Sequence, residues 1–124
     1  MNKLFWLFIA GGFGVLARFI LGGLIQRWYG GTFPLGTFII NVLGCLLFGI
    51  IWSLAEERLV ISGDTRFILL TGFMGAFTTF STFAFETSGL MRDSEWLLTM
   101  GNVLGQTFLG LVAIVGGMAI GRLF

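Results

Sequence analysis

A chain of 124 residues that is 56% hydrophobic and 10% charged, with a mean hydropathy of +0.99, lies far outside the soluble globular range and is too short for more than one domain. Seven Lys/Arg against six Asp/Glu leave a net charge of +1 with no basic tail, which gives no footing for a nucleic-acid partner. There is no histidine, Cys45 stands alone, and no two carboxylates lie together deep in a span. A disulfide framework, a cysteine metal site within one chain and acid–base catalysis are therefore not expected.

Four apolar runs follow one another: residues 4–25, interrupted by Arg18, then 33–55, 67–85 and 96–121. As helices rising about 1.5 Å per residue, each can cross a hydrocarbon core about 30 Å thick. Lipid cannot satisfy free backbone N–H and C=O groups, and four spans are too few to close a β-barrel. An all-α membrane protein is expected, with spans at about 4–27, 33–55, 67–91 and 96–121 in one four-helix domain. The first run is not read as a cleaved signal sequence, because it carries Arg18 and lacks a small-residue cleavage site.

The connectors are short: a Tyr-Gly-Gly turn in residues 28–32, Ser-Gly-Asp within 56–66, and Arg92-Asp93 within 91–95. Any activity must then live within the bundle. Four crossings place Lys3, Arg58, Arg66 and Arg122 on one side and Arg27 and Arg92 on the other, a feeble bias diluted by Glu56, Glu57 and Asp64. Both insertion in either orientation and a fixed topology with cytoplasmic termini fit it. Twenty glycines weaken helix interiors but let backbones approach. The spacings Gly101…Gly105 and Gly117…Gly121 in the fourth run read as surfaces for association between two copies, with packing inside one chain as the alternative.

The polar groups inside the runs are Arg18, Thr37, Asn41, a Thr/Ser cluster at 78–82, Glu86, Asn102, Gln106 and Thr107. Such groups are costly in lipid and mark a solute pathway by default. The cluster sits in GFMGAFTTFSTF, residues 72–83. Gly72 and Gly75 lower the cost of leaving helical geometry, and the hydroxyls can satisfy freed backbone groups, so the third helix is expected to break near 75–79. Unwound carbonyls suit a hard cation, and the new helix N-terminus offers N–H groups and a positive dipole end. Phe80 and Phe83, at i and i+3, can turn positive ring edges toward a small anion. Asn41, Ser81 and Thr82 would supply donors to the same anion, in weak multi-site coordination that allows it to leave.

These residues resemble a known family. Gly72-Phe-Met-Gly75-Ala-Phe-Thr78-Thr79-Phe80-Ser81-Thr82-Phe83 followed by Glu86, with Gly36-Thr37-Phe-Ile-Ile-Asn41-Val-Leu-Gly44 in the second span and Arg18 in the first, is similar to the Fluc (CrcB) family of fluoride channels. The resemblance covers all four spans. It implies an antiparallel, dual-topology homodimer in the bacterial inner (cytoplasmic) membrane that lets fluoride leave the cell passively. It further implies a structural sodium ion at the dimer interface, held by backbone carbonyls of Gly75 and Thr78. Phe80, Phe83 and Asn41 would line the pore, Ser81, Thr82, Glu86, Thr37 and Gln106 would lie along the pathway, and Arg18 near an aqueous vestibule. In the fourth span, Asn102, Gln106 and Gly110 replace a tyrosine and serines found in relatives, and amides also donate hydrogen bonds. The rival reading is a small dual-topology, proton-coupled exporter of cationic compounds. That chemistry needs a carboxylate in the first span, where this chain has only Arg18.

Overall fold

The computed structural model describes residues 2–124. Asn2 starts α1 by accepting the Phe5 N–H on Oδ1 at 3.2 Å, and α1 runs Lys3–Tyr29 to a left-handed Gly30 at φ 71°. A positive φ at a helix end is the conformation that glycine adopts without a Cβ clash. The return to α2 is fixed by Gln26: its Nε2 donates to the Phe33 carbonyl at 3.0 Å and its Oε1 accepts the Gly36 N–H at 2.9 Å. Helix α2 runs Leu35–Trp52 and loosens into a wider π-type turn over Ser53–Glu57.

The third span begins earlier than its hydropathy implies. Ser62 accepts the Thr65 N–H on Oγ at 3.3 Å, so α3 starts at Gly63 rather than near 67, and the expected Ser-Gly-Asp connector is the first turn of a helix. Labelled here as one element over residues 63–77, α3 is α-helical at Gly63–Phe67, π-type at Ile68–Met74 and α-helical again at Gly75–Phe77. Thr78 and Thr79 are extended, and α4 then runs Phe80–Arg92. The last helix, α5, covers Trp96–Gly121. All four spans, of 27, 23, 30 and 26 residues, are long and apolar enough to cross a membrane, and the protein is read as multi-pass.

The expected extent of the break needs correction. Gly75 keeps helical angles (φ −62°, ψ −31°), and the residues that leave the helix are Thr78 (φ −87°, ψ 158°) and Thr79 (φ −150°, ψ 115°). Both conformations lie in the β region that β-branched side chains favour, so no glycine is needed there. Gly72 is instead required by a crossing, since a Cβ on it would lie 3.0 Å from that of Ala10 on α1.

The most extensive helix contact is between α2 and α5. A Cβ on Gly117 would strike the Leu46 carbonyl oxygen, and one on Gly49 would strike that of Ile114. Gly121 likewise faces Ser53, with a Cβ there 2.7 Å from the serine Cβ. The Gly117…Gly121 surface, expected to join two copies, is thus consumed inside the chain because it faces the small residues of α2. Gly105 faces the Phe38 ring, and only Gly101 of the four has open space around it.

The interior is small: Ile40, Leu70, Met74 and Phe77 form its buried cluster, while long apolar side chains cover most of the outer surface. In lipid, unlike water, that surface needs no burial. Trp6 and Trp52 lie toward the end that carries both termini, and Trp28, Tyr29 and Trp96 toward the other, as interfacial aromatics do. Ion pairs Lys3–Asp64 (2.9 Å), Arg66–Glu56 and Arg122–Glu57 (2.6 Å) all gather at the termini's end.

Candidate functional site

The site is organised by the two extended threonines. Thr78 closes α3, its N–H and hydroxyl both donating to the Met74 carbonyl at 3.1 and 3.0 Å. Thr79 opens α4 by accepting the Thr82 N–H on Oγ1 at 3.2 Å, and the same hydroxyl donates to Thr82 Oγ1 at 3.0 Å. Across the bundle, Asn41 of α2 clasps the broken backbone: the Thr79 N–H donates to Asn41 Oδ1 at 2.9 Å, and Asn41 Nδ2 donates to the Thr79 carbonyl at 3.1 Å. In an unbroken helix that N–H would go to the Gly75 carbonyl. Turning it to Asn41 leaves a mid-membrane carbonyl at Gly75 without its usual donor.

Two cavities open on this break, one on either side, and Thr79 lines both. The first, about 360 Å³, is walled by Asn41, Thr78, Phe80, Phe83, Gln106 and Thr107 among others. Phe80 and Phe83 stand in it with ring centroids 5.5 Å apart and planes tilted by 49°, and Phe80 is 76% exposed. The second, about 390 Å³, holds Arg18, Gln26, Thr37, Thr82 and Glu86. Glu86 Oε1 is buried there without a hydrogen-bond partner among the described residues, which costs free energy unless the cavity's contents donate to it. Thr82 accepts from Thr79 and keeps its own hydroxyl hydrogen to offer to that cavity.

The residues singled out from the sequence are therefore brought to one region but divided between its halves. Asn41, Thr78, Phe80, Phe83 and Gln106 belong to the first cavity, and Arg18, Thr37, Thr82 and Glu86 to the second. Ser81 is exposed on α4 and walls neither, and Gly75 contributes only backbone. Asn41, expected to offer free donors, has both Nδ2 hydrogens engaged, by the Thr79 carbonyl and by Gln106 Oε1 at 2.8 Å. Sequence reasoning passed over Thr79, the residue common to both cavities. Its signal was present in Thr79-Phe-Ser-Thr82, a hydroxyl three residues before a first-turn N–H that needs a cap.

Chemically, the arrangement offers a Gly75 carbonyl relieved of its helical donor at the break, hydroxyl and guanidinium donors in one cavity and aromatic rings in the other. Such a mixture suits a small ion passing between them better than covalent chemistry, for which no nucleophile–base pair is assembled among the described residues.

Comparison with known proteins is consistent across the whole chain. Residues 5–118 match the family model described as CrcB-like protein, Camphor Resistance (CrcB). The chain is 58% identical over 122 residues to the fluoride-specific ion channel FluC of Nitrosococcus oceani, covering 98% of each. It is 54% identical over 123 residues to that of Nitratidesulfovibrio vulgaris strain Miyazaki F, covering 99% of each. A more distant relative of the same name, from Chloroflexus aurantiacus, is 38% identical over 124 residues, covering 100% of this chain and 98% of its own.

Proposed function

The chain belongs to the Fluc (CrcB) family of fluoride channels, and we propose that it conducts fluoride passively and selectively out of the cell across the bacterial inner membrane. The observation that carries this reading is the backbone opening at Thr78 and Thr79, with a cavity on either side and Thr79 on both walls. Fluoride is small and strongly hydrated, so a pathway must replace its water donors at each step. Arg18 and the Thr82 hydroxyl serve at one cavity, and the ring edges of Phe80 and Phe83 serve beyond the break. Gln106 and Thr37 complete the two walls, Ser81 stands beside the break, and Glu86 faces the guanidinium side as the buried acid. Asn41 serves by holding the opening in place.

The working unit is an antiparallel homodimer of dual topology. A single chain leaves the first cavity open on its outer surface beside a Phe80 that is largely exposed, so a pathway running past these rings lacks a second wall. A second copy supplies cover of matching character. The carbonyls of Gly75 and Thr78 fit a sodium ion in kind: they are hard neutral oxygens, and the Gly75 carbonyl has lost its helical donor to Asn41. Bound there, sodium would supply positive charge that pins the two broken spans together.

The test is growth in fluoride of a bacterium stripped of its own fluoride export. Expression of this chain restores growth and expression of its Phe83→Ile variant does not. Failure of the unmodified chain to restore growth, with protein present in the membrane, would count against the proposal. Drug-dependent proton flux through the purified chain would favour the cationic-compound exporter instead.

A further inference from the structure

From the wall of the first cavity into the buried interior runs a chain of side-chain hydrogen bonds whose members all donate in one sense. Asn41 Nδ2 donates to Gln106 Oε1 (2.8 Å), and Gln106 Nε2 donates to Asn102 Oδ1 (2.9 Å). Asn102 Nδ2 donates to Thr87 Oγ1 (2.9 Å), whose hydroxyl donates to the Phe83 carbonyl (2.7 Å). The series starts at the residue that clasps Thr79 and ends on the backbone of the second ring residue, having crossed from α2 through α5 to α4. Asn102 is 0% exposed and Thr87 is buried, and neither walls either of the two cavities at the break.

Packing does not account for this arrangement. Helix α4 meets α2 only sparsely, and the face of α5 turned to it carries these amides where leucines would be cheaper to bury. Each amide has its carbonyl and N–H sides fixed by its neighbours, so flipping one would set two carbonyls or two N–H groups against each other. A network of that kind holds one geometry and resists sliding of α4 along α5.

We propose that Asn102 and Thr87 are positioning residues: they and Gln106 form a brace that fixes the first turn of α4 against the break, keeping Phe80 and Phe83 in register with the opening at Thr79. The inference rests on the fluoride-channel reading for its flux readout but not for its structural one. Each link is in series, so once one is cut the rest carry little. Losses from two cuts should then coincide rather than multiply.

The experiment compares fluoride efflux from liposomes holding purified wild-type, Asn102→Leu, Gln106→Leu and doubly substituted chains, each checked for assembly size, alongside Thr87→Val and Thr87→Ser. Asn102→Leu should slow efflux by at least about tenfold, the double variant no further than the slower single, because an orphaned buried amide costs the geometry it served. Thr87→Ser, which keeps the hydroxyl, should conduct as wild type while Thr87→Val is slowed. Hydrogen–deuterium exchange over residues 78–83 should rise in Asn102→Leu and Thr87→Val and not in Thr87→Ser. Losses that multiply, unchanged exchange, or equal behaviour of Thr87→Val and Thr87→Ser would each overturn the brace. Should Asn102→Leu fail to assemble, the Thr87 pair decides alone. A wild-type chain that passes no fluoride would sink the channel reading while exchange still tests the brace.

Discussion

Phe80 and Phe83 share a cavity wall with Asn41 and Gln106, and their rings are tilted so that edges as well as faces are available. Isoleucine fills similar space without the ring's positive rim, so Phe80→Ile and Phe83→Ile should each abolish fluoride flux while leaving assembly size unchanged by size-exclusion chromatography. Thr79 carries a different load, since its hydroxyl caps α4 and meets Thr82. Thr79→Val keeps the shape and removes the cap, which should lower stability by about 1 kcal/mol, read as an earlier unfolding midpoint, and slow efflux as well. The ring pair and hydroxyl cluster were legible in the sequence because they lie within six positions of one another, where local spacing decides who meets whom. The roles of Asn102 and Thr87 were not. Their bond joins residues 15 apart on different helices and depends on how α5 is rotated, which no local pattern records.

At the scale of elements, the four spans were legible because each is a long apolar run with polar ends, and the break because hydroxyls gathered where lipid was expected. The break falls within the expected 75–79 but is narrower, since Gly75 stays helical and the β-branched pair Thr78-Thr79 takes up the extended geometry. The destination of the glycines was also hidden. Whether a small-residue stripe faces its own chain or another copy is decided by tertiary contact, and Gly117 meets α2 backbone. Gly117→Val should therefore destabilise the folded chain by about 1–3 kcal/mol, whereas Gly101→Ala, in open space, should change it by less than about 0.5 kcal/mol. Denaturation in mixed detergent measures both. At the break itself, sodium is proposed to rest on the carbonyls of Gly75 and Thr78; on that proposal, efflux from liposomes prepared and dialysed without sodium should fall, and lithium or potassium should not replace it fully.

For the whole molecule, the division of the site into two cavities meeting at Thr79 explains why an ion pathway needs so little protein. One chain supplies donors on one side, aromatic edges on the other and an opening between them, and the proposed second copy would close the first cavity. The ion pairs at the termini's end tie α1 to α3, α3 to α2 and α5 to α2, holding the helix ends while the midpoint stays open. The measurement that bears most directly on this account is efflux recorded with a fluoride-selective electrode from liposomes holding only the purified chain, beside a chloride-loaded control. The account predicts rapid release of fluoride with chloride retained. Fluoride held inside, or chloride released as fast, would contradict it.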